Sequence, residues 1–245
     1  GAERLVLVPH GPLHALPLHA LWDGEHARYL IETAEVRYAQ SASVLGHLHR
    51  ATGERRRRAA GPALVVGVPD AAAPRIGEEA VRVAAALETG LLLLGNEATC
   101  EAVTAAARAA PVIHLACHGV FAPERPLGSG LKLADRWLNV RDVYGLRLRA
   151  DLVTLSGCET GRATVGDGDE LVGLVRGFLA AGAASLLLSL WVVDDASTAD
   201  LMESFYASYK QGASAAAALR HAQLALLARQ PHPAFWAPFV LGGLA

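Results

Sequence analysis

Apolar and polar positions along this chain alternate between two periods. Short runs of four to eight apolar residues, cut off by glycine, proline or a polar turn, read as strands, and segments with apolar residues every three to four positions read as helices. Arg4–Val8 is a strand ended by Pro9-His10-Gly11-Pro12, and Tyr29–Tyr38 alternates as a second. A helix opens after Ser41 or Ser43, either of which suits its N-cap. From Gly61 onward the elements interleave. Ala63–Val68 is a buried strand, Gly77–Thr89 a helix, Leu91–Leu94 a short strand and Thr99–Ala109 a helix capped by Thr99. Two strands follow, in Pro111–Gly119 (PVIHLACHG) and Asp151–Gly161 (DLVTLSGCETG), with a polar loop at Pro123–Gly130 and a short helix near Asn139–Tyr144 between them. Glu170–Ala181 is helical, Ala184–Val193 a long buried strand, Ser197–Tyr209 and Ala213–Arg229 helices, and Phe235–Leu241 a last strand. Strands alternating with helices predict an α/β fold with a parallel sheet covered on both faces.

Composition narrows the function classes. With 245 residues, 52% apolar and 19% charged, the chain can bury a large core and is not a disordered segment. Lys+Arg 22 against Asp+Glu 24 gives a net charge of −2, which argues against a nucleic-acid or anionic-membrane surface. No run of 18 apolar residues predicts a membrane span, and no secretory signal opens the chain, which starts at Gly1 and reads as a fragment of something longer. Three cysteines (Cys100, Cys117, Cys158) make no disulfide framework, so a reducing, cytoplasmic setting is expected. The histidines at 10, 14, 19, 47 and 49 are irregularly spaced and lack a cysteine or carboxylate partner, so they are not read as a metal site. Thr52–Gly61 (TGERRRRAAG) is a polar break, read as a solvated loop between residues 1–60 and the rest.

The chemistry gathers at the ends of the two glycine-closed strands. One ends at His118-Gly119 and the other at Ser156-Gly157-Cys158. Ligands of open α/β sheets sit outside the carboxyl ends of the strands. If these two strands are neighbours, an imidazole and a thiol meet at one mouth of the sheet. A cysteine nucleophile needs a raised thiolate fraction and a protonated leaving group, and one imidazole supplies both. The backbone N–H groups of Gly119 and Cys158 could then form an oxyanion hole. A buried cysteine and a hydrogen-bonded core histidine would leave the same pattern. Cys117 alternates away from His118 and should pack into the core. GDGDEL (Gly166–Leu171) lacks the ligand run of a calcium loop and reads as a mobile loop before a helix. No G-x-S-x-G serine elbow occurs.

HLACHG (His114–Gly119), LSGCETG (Leu155–Gly161), Gly168–Tyr206 and HPAFWAPFVLGG (His232–Gly243) together resemble the CHAT family, caspase-like peptidase domains related to separases and often joined to tetratricopeptide repeats. The opening LVLVPHGPLHALPLHAL resembles the start of that domain, so the likeness covers nearly the whole chain. It implies one domain over 1–245, a caspase-like three-layer sandwich with 1–60 as an N-terminal extension of the sheet and 61–245 as the catalytic core. It implies a cysteine endopeptidase with His118 as base and acid and Cys158 as nucleophile, with no third triad member and no cofactor. By similarity, substrate would pair as an added strand near Ser189-Leu190-Trp191, with Ser156 close by. Asp195, or Asp194, would then set a preference for Arg or Lys before the cut. This chain has Val192 where the family often has Asp. The resemblance also implies a protein or peptide substrate, control by a partner or a repeat region, and a role in bacterial defence or signalling. The alternative is an inactive scaffold of the same fold that binds partner proteins. An acidic pocket would make Arg55–Arg58 a self-processing site, and control by a partner or repeat region would suit the loop Ala163–Asp169 beside Cys158 as a segment ordered on activation.

Overall fold

The computed structural model describes residues 3–54, 61–71, 73–88, 90–120, 128–156, 169–191 and 195–244, with backbone alone at 51–54, 169–172 and 195. The first elements are β1 (Arg4–Leu7), β2 (Trp22–Asp23), β3 (Arg28–Tyr29), α1 (Leu30–Thr33), β4 (Glu35–Tyr38) and α2 (Ala42–Glu54). Next come β5 (Leu64–Gly67), α3 (Ile76–Leu87), β6 (Leu91–Leu94), α4 (Cys100–Ala107) and β7 (Val112–Ala116). A small excursion follows: β8 (Gly119–Val120), β9 (Gly130–Lys132), β10 (Trp137–Asn139) and α5 (Val140–Tyr144). The chain closes with β11 (Leu152–Ser156), α6 (Asp169–Ala181), β12 (Ser185–Ser189), α7 (Asp195–Lys210), α8 (Ala215–Arg229), α9 (Pro233–Trp236) and β13 (Phe239–Gly243).

Eight strands form one sheet in the order β1-β4-β13-β12-β11-β7-β5-β6. Each pairing is parallel except β12 with β13. Side-chain alternation divides the core strands between two layers. Leu64, Val66, Ile113, Leu115, Val153 and Leu155 face α4, α5 and α6, whereas Val65, Val112, Leu152 and Leu187 face α3, α7, α8 and α9. Burial on both sides is why these strands read as unbroken apolar runs. Among the described residues β8, β9 and β10 form a separate antiparallel sheet and β2 with β3 a hairpin.

The caps fall where side-chain chemistry places them. Ser41 Oγ accepts the Val44 N–H at 3.1 Å, Thr99 Oγ1 the Ala102 N–H at 3.2 Å, and Asn139 Oδ1 the Asp142 N–H at 2.9 Å.

Three strand expectations need correction. Tyr29–Tyr38 is not one strand: Glu32 accepts the Tyr29 N–H at 2.6 Å and Thr33 Oγ1 donates to the Leu30 carbonyl at 2.9 Å, closing a helical turn that buries Ile31. Ala184–Val193 is shorter than its apolar run, because β12 stops at Ser189, whose hydroxyl donates to the Trp191 carbonyl. Phe235–Leu241 begins as helix: Pro233 starts α9, His232 Nδ1 accepts the Ala234 N–H at 3.2 Å, and strand geometry starts only at Phe239.

Candidate active site

The two strands expected to carry the chemistry are parallel neighbours. β7 and β11 pair in register from Val112↔Leu152 to Ala116↔Ser156, and the Cys117 N–H extends the ladder to the Ser156 carbonyl at 3.1 Å. His118 lies two residues beyond Ala116, and Cys158 stands two beyond Ser156 in the sequence. Cys158 lies outside the described residues, as do Gly157, Asp194, Val192, Arg55–Arg58 and 157–168, and so does the side chain of Asp195, whose backbone opens α7.

His118 is held from the opposite side of β7. Its Nε2 is 2.9 Å from Asp70 Oδ1, and Asp70 follows the end of β5, which pairs with β7. Lys132 Nζ reaches Asp70 Oδ2 at 3.1 Å. A carboxylate only accepts, so it fixes the proton on Nε2 and leaves the lone pair on Nδ1. The His118 side chain is 15% exposed, enough to meet a substrate without being bathed in water. The sequence reading singled out neither Asp70 nor Lys132. The only available signal was an acidic residue just past a buried strand, and its meaning depends on knowing that β5 lies beside β7.

The geometry of β8 orients a backbone donor. The Lys132 N–H bonds to the His118 carbonyl at 2.8 Å, which makes His118–Lys132 a hydrogen-bonded pair. In an antiparallel ladder the next pair, Gly119↔Leu131, is then the non-bonded one, so the Gly119 N–H points away from β9.

Cys117 is fully buried in the core, as its alternation with His118 predicts. Ser156 is also fully enclosed, its Oγ without a hydrogen-bond partner among the described residues, and Ser189 is 3% exposed. Neither hydroxyl is presented to solvent. Trp191 is half-buried, with Nε1 donating to the Ala234 carbonyl at 3.2 Å, while the neighbouring Leu190 N–H is taken by the Pro238 carbonyl at 2.8 Å.

Of the other histidines, His114 is wholly buried: Nδ1 lies 3.2 Å from the Tyr206 hydroxyl, which donates to Thr154 Oγ1 at 2.7 Å, and Nε2 lies 3.2 Å from Glu79. His19 is buried against Tyr38 and Trp236, and its burial lowers its pKa to about 4. Among the described residues no group of three or more His, Cys, Asp or Glu is arranged to hold a metal, and no helix is long and apolar enough to cross a membrane.

Known proteins bear on this arrangement at two levels. In fold, the chain is similar to separase in the Saccharomyces cerevisiae separase–securin complex (TM-score 0.65, 14% identity, 94% of this chain and 14% of that one). It is also similar to the Arg-specific cysteine proteinase gingipain R (TM-score 0.60, 11% identity, 86% of this chain and 54% of that one). These likenesses establish the expected caspase-like α/β architecture. In sequence, tetratricopeptide repeat protein 28 of Mus musculus is 38% identical over 115 residues and that of Homo sapiens 36% over 113, each matching 45% of this chain. The matched region is 5% of the mouse protein and 4% of the human one, so this chain corresponds to a small part of its curated relatives. The CHAT domain model matches residues 1–243, and the chain belongs to the CHAT domain family.

Proposed function

We propose that the chain is a cysteine endopeptidase acting through His118 and Cys158. The observation that supports this reading is the in-register pairing of β7 and β11, which sets Ala116 and Ser156, each two residues before a reactive position in the sequence, side by side at one end of the sheet. Asp70 supports it by holding Nε2–H and leaving Nδ1 as the base.

His118 Nδ1 takes the Cys158 proton. The thiolate attacks the scissile carbonyl carbon, and the oxyanion takes hydrogen bonds from the Gly119 and Cys158 N–H groups. Collapse breaks the C–N bond as the imidazolium returns its proton to the leaving amine, giving a thioester. Water, deprotonated by His118, then releases the acid and regenerates the thiol. His118 acts by turns as base and acid, so its orientation matters at every step. No cofactor takes part.

Asp195, with Asp194 second, would place a carboxylate to pair with an Arg or Lys side chain before the cut. The Arg specificity of the cysteine proteinase gingipain R, a structural neighbour, fits that choice. Tetratricopeptide repeats in the curated relatives fit control by an adjoining repeat region or by a regulatory protein. Regulated proteolysis in cytoplasmic defence or signalling is the setting this reading implies.

Cleavage of a peptide library by the wild-type chain and by Cys158→Ala tests the assignment. Cleavage should vanish in the variant while its circular dichroism and melting stay unchanged. Pure Cys158→Ala that still cuts would remove Cys158 as nucleophile. A folded wild type that neither cuts nor reacts with an arginyl chloromethylketone would favour the partner-binding scaffold. Asp195→Ala should lower kcat/KM at least about tenfold on Arg and Lys substrates alone, and an equal loss on every substrate would make Asp195 structural.

A further inference from the structure

The peptidase reading leaves open where the half of the substrate downstream of the cut would lie. His118 must hand a proton to the leaving amine, so that half departs over the imidazole. Relative to β7, β11 (the strand that precedes Cys158 in the sequence) and then β12 lie on one side, and β5 with Asp70 on the other. The downstream half therefore runs from His118 away from β12, onto the β8–β9–β10 sheet that His118 itself leads into.

One face of that sheet is continuous with the site. His118 and Lys132 both reach Asp70, so their side chains emerge on the same side. Lys132 is directly opposite Trp137 in the ladder, and Val120 lies two residues beyond His118 on the same pleat. The Arg136 carbonyl accepts from the Leu133 N–H and the Ser129 carbonyl from the Val140 N–H, which leaves Lys132–Trp137 a non-bonded pair, the kind whose side chains approach most closely. The other face (Gly119, Leu131, Leu138) is buried in the core. On the open face Val120 is 46% and Trp137 40% exposed. Lys132 has its ammonium on Asp70 and so presents its methylene stem between them. The result is an apolar strip beginning at the proposed general acid.

We infer that this strip, Val120–Lys132–Trp137, is the subsite for substrate residues after the scissile bond, and that it selects a bulky apolar side chain there. Neighbouring strands lie about 4.8 Å apart, so Trp137 stands roughly 10 Å from His118 across two strand spacings. An extended peptide covers that in about three residues at ~3.3 Å each, which places the selected side chain at the second or third position after the cut. An aromatic floor suits such a role because it offers a large contact area with few rotors to order. The inference rests on the peptidase reading.

The test compares two substrates that share the upstream sequence. One carries a small fluorogenic amine directly after the cut, and the other a peptide with leucine or phenylalanine at the second and third downstream positions. Trp137→Ala should lower kcat/KM about tenfold on the extended peptide and leave the fluorogenic substrate unchanged. Val120→Asp should act in the same direction, and Trp137→Phe should restore most of the loss. Equal effects on both substrates, or no preference of the wild type among downstream residues, would overturn the subsite and leave the dyad standing. A wild type that turns over neither substrate takes the peptidase reading down and the subsite with it.

Discussion

Asp70 carries more of the site than its position in the sequence advertises. Between Lys132 Nζ at 3.1 Å and His118 Nε2 at 2.9 Å, it restrains both the tautomer and the ring plane of the histidine. Asp70→Ala should lower kcat by about 10–100-fold, by analogy with the loss of groups that orient a functional histidine. Asp70→Asn, whose carbonyl still accepts from Nε2–H, should recover part of it. His19 makes the second residue-scale prediction. Burial holds it neutral in the fold down to about pH 4, whereas an exposed histidine takes its proton near 6.5. The unfolded chain therefore binds more protons between those values. Stability should be intact above about pH 6.5 and fall toward pH 4, by up to about 3 kcal/mol from this residue. Urea melts at pH 7 and 4.5, wild type against His19→Gln, should show a smaller acid loss in the variant; identical losses would remove His19 as the cause. Such roles are hard to read from sequence. His118 and Cys158 are flagged by flanking glycines and strand character, whereas Asp70 acquires meaning only from a neighbour 48 residues away.

At the scale of elements, sequence legibility follows burial. β5, β7 and β11 are enclosed on both faces, and their apolar runs mark them within a residue or two. The errors fall where local polar chemistry interrupts an apolar run: Glu32 and Thr33 fold a turn into Tyr29–Tyr38, and Pro233 with His232 starts α9 inside an apparent strand. The β8–β9–β10 sheet went unseen because its strands are two or three residues long and only one face is buried. Gly130 is its tightest point. A Cβ there would stand 2.6 Å from the Leu138 carbonyl oxygen and 2.8 Å from the Asn139 Cα, both backbone atoms that cannot swing aside. Gly130→Ala should force β9 from β10 and destabilise the chain by about 1–3 kcal/mol. It should also blunt the preference for apolar downstream residues. A variant with wild-type melting would show that the two strands are not held this closely.

Across the whole molecule, one buried polar chain ties the layers to the site strands. Tyr206 on α7 donates to Thr154 on β11 and meets His114 on β7, with Glu79 of α3 beside His114. Burial pushes the Tyr206 pKa far up, so its hydroxyl stays protonated as a donor. Tyr206→Phe would take away the partner of Thr154 Oγ1 and of His114 Nδ1 in the core and should cost about 1–3 kcal/mol, read as a lower melting midpoint; an unchanged midpoint would mean the network adds nothing net. The same chain spans the two strands whose ends would hold base and nucleophile, so the proposed chemistry and the stability of the fold would share one scaffold.

The central claim is that the sulfur of Cys158 and the imidazole of His118 share a site, and the pH dependence of Cys158 alkylation by iodoacetamide, followed by mass spectrometry, measures it most directly. An imidazole beside the thiol should make Cys158 react well below pH 7, and His118→Ala should return its profile to that of a free thiol titrating near about 8.5. Superimposable profiles in the two proteins would place sulfur and imidazole apart and contradict the account.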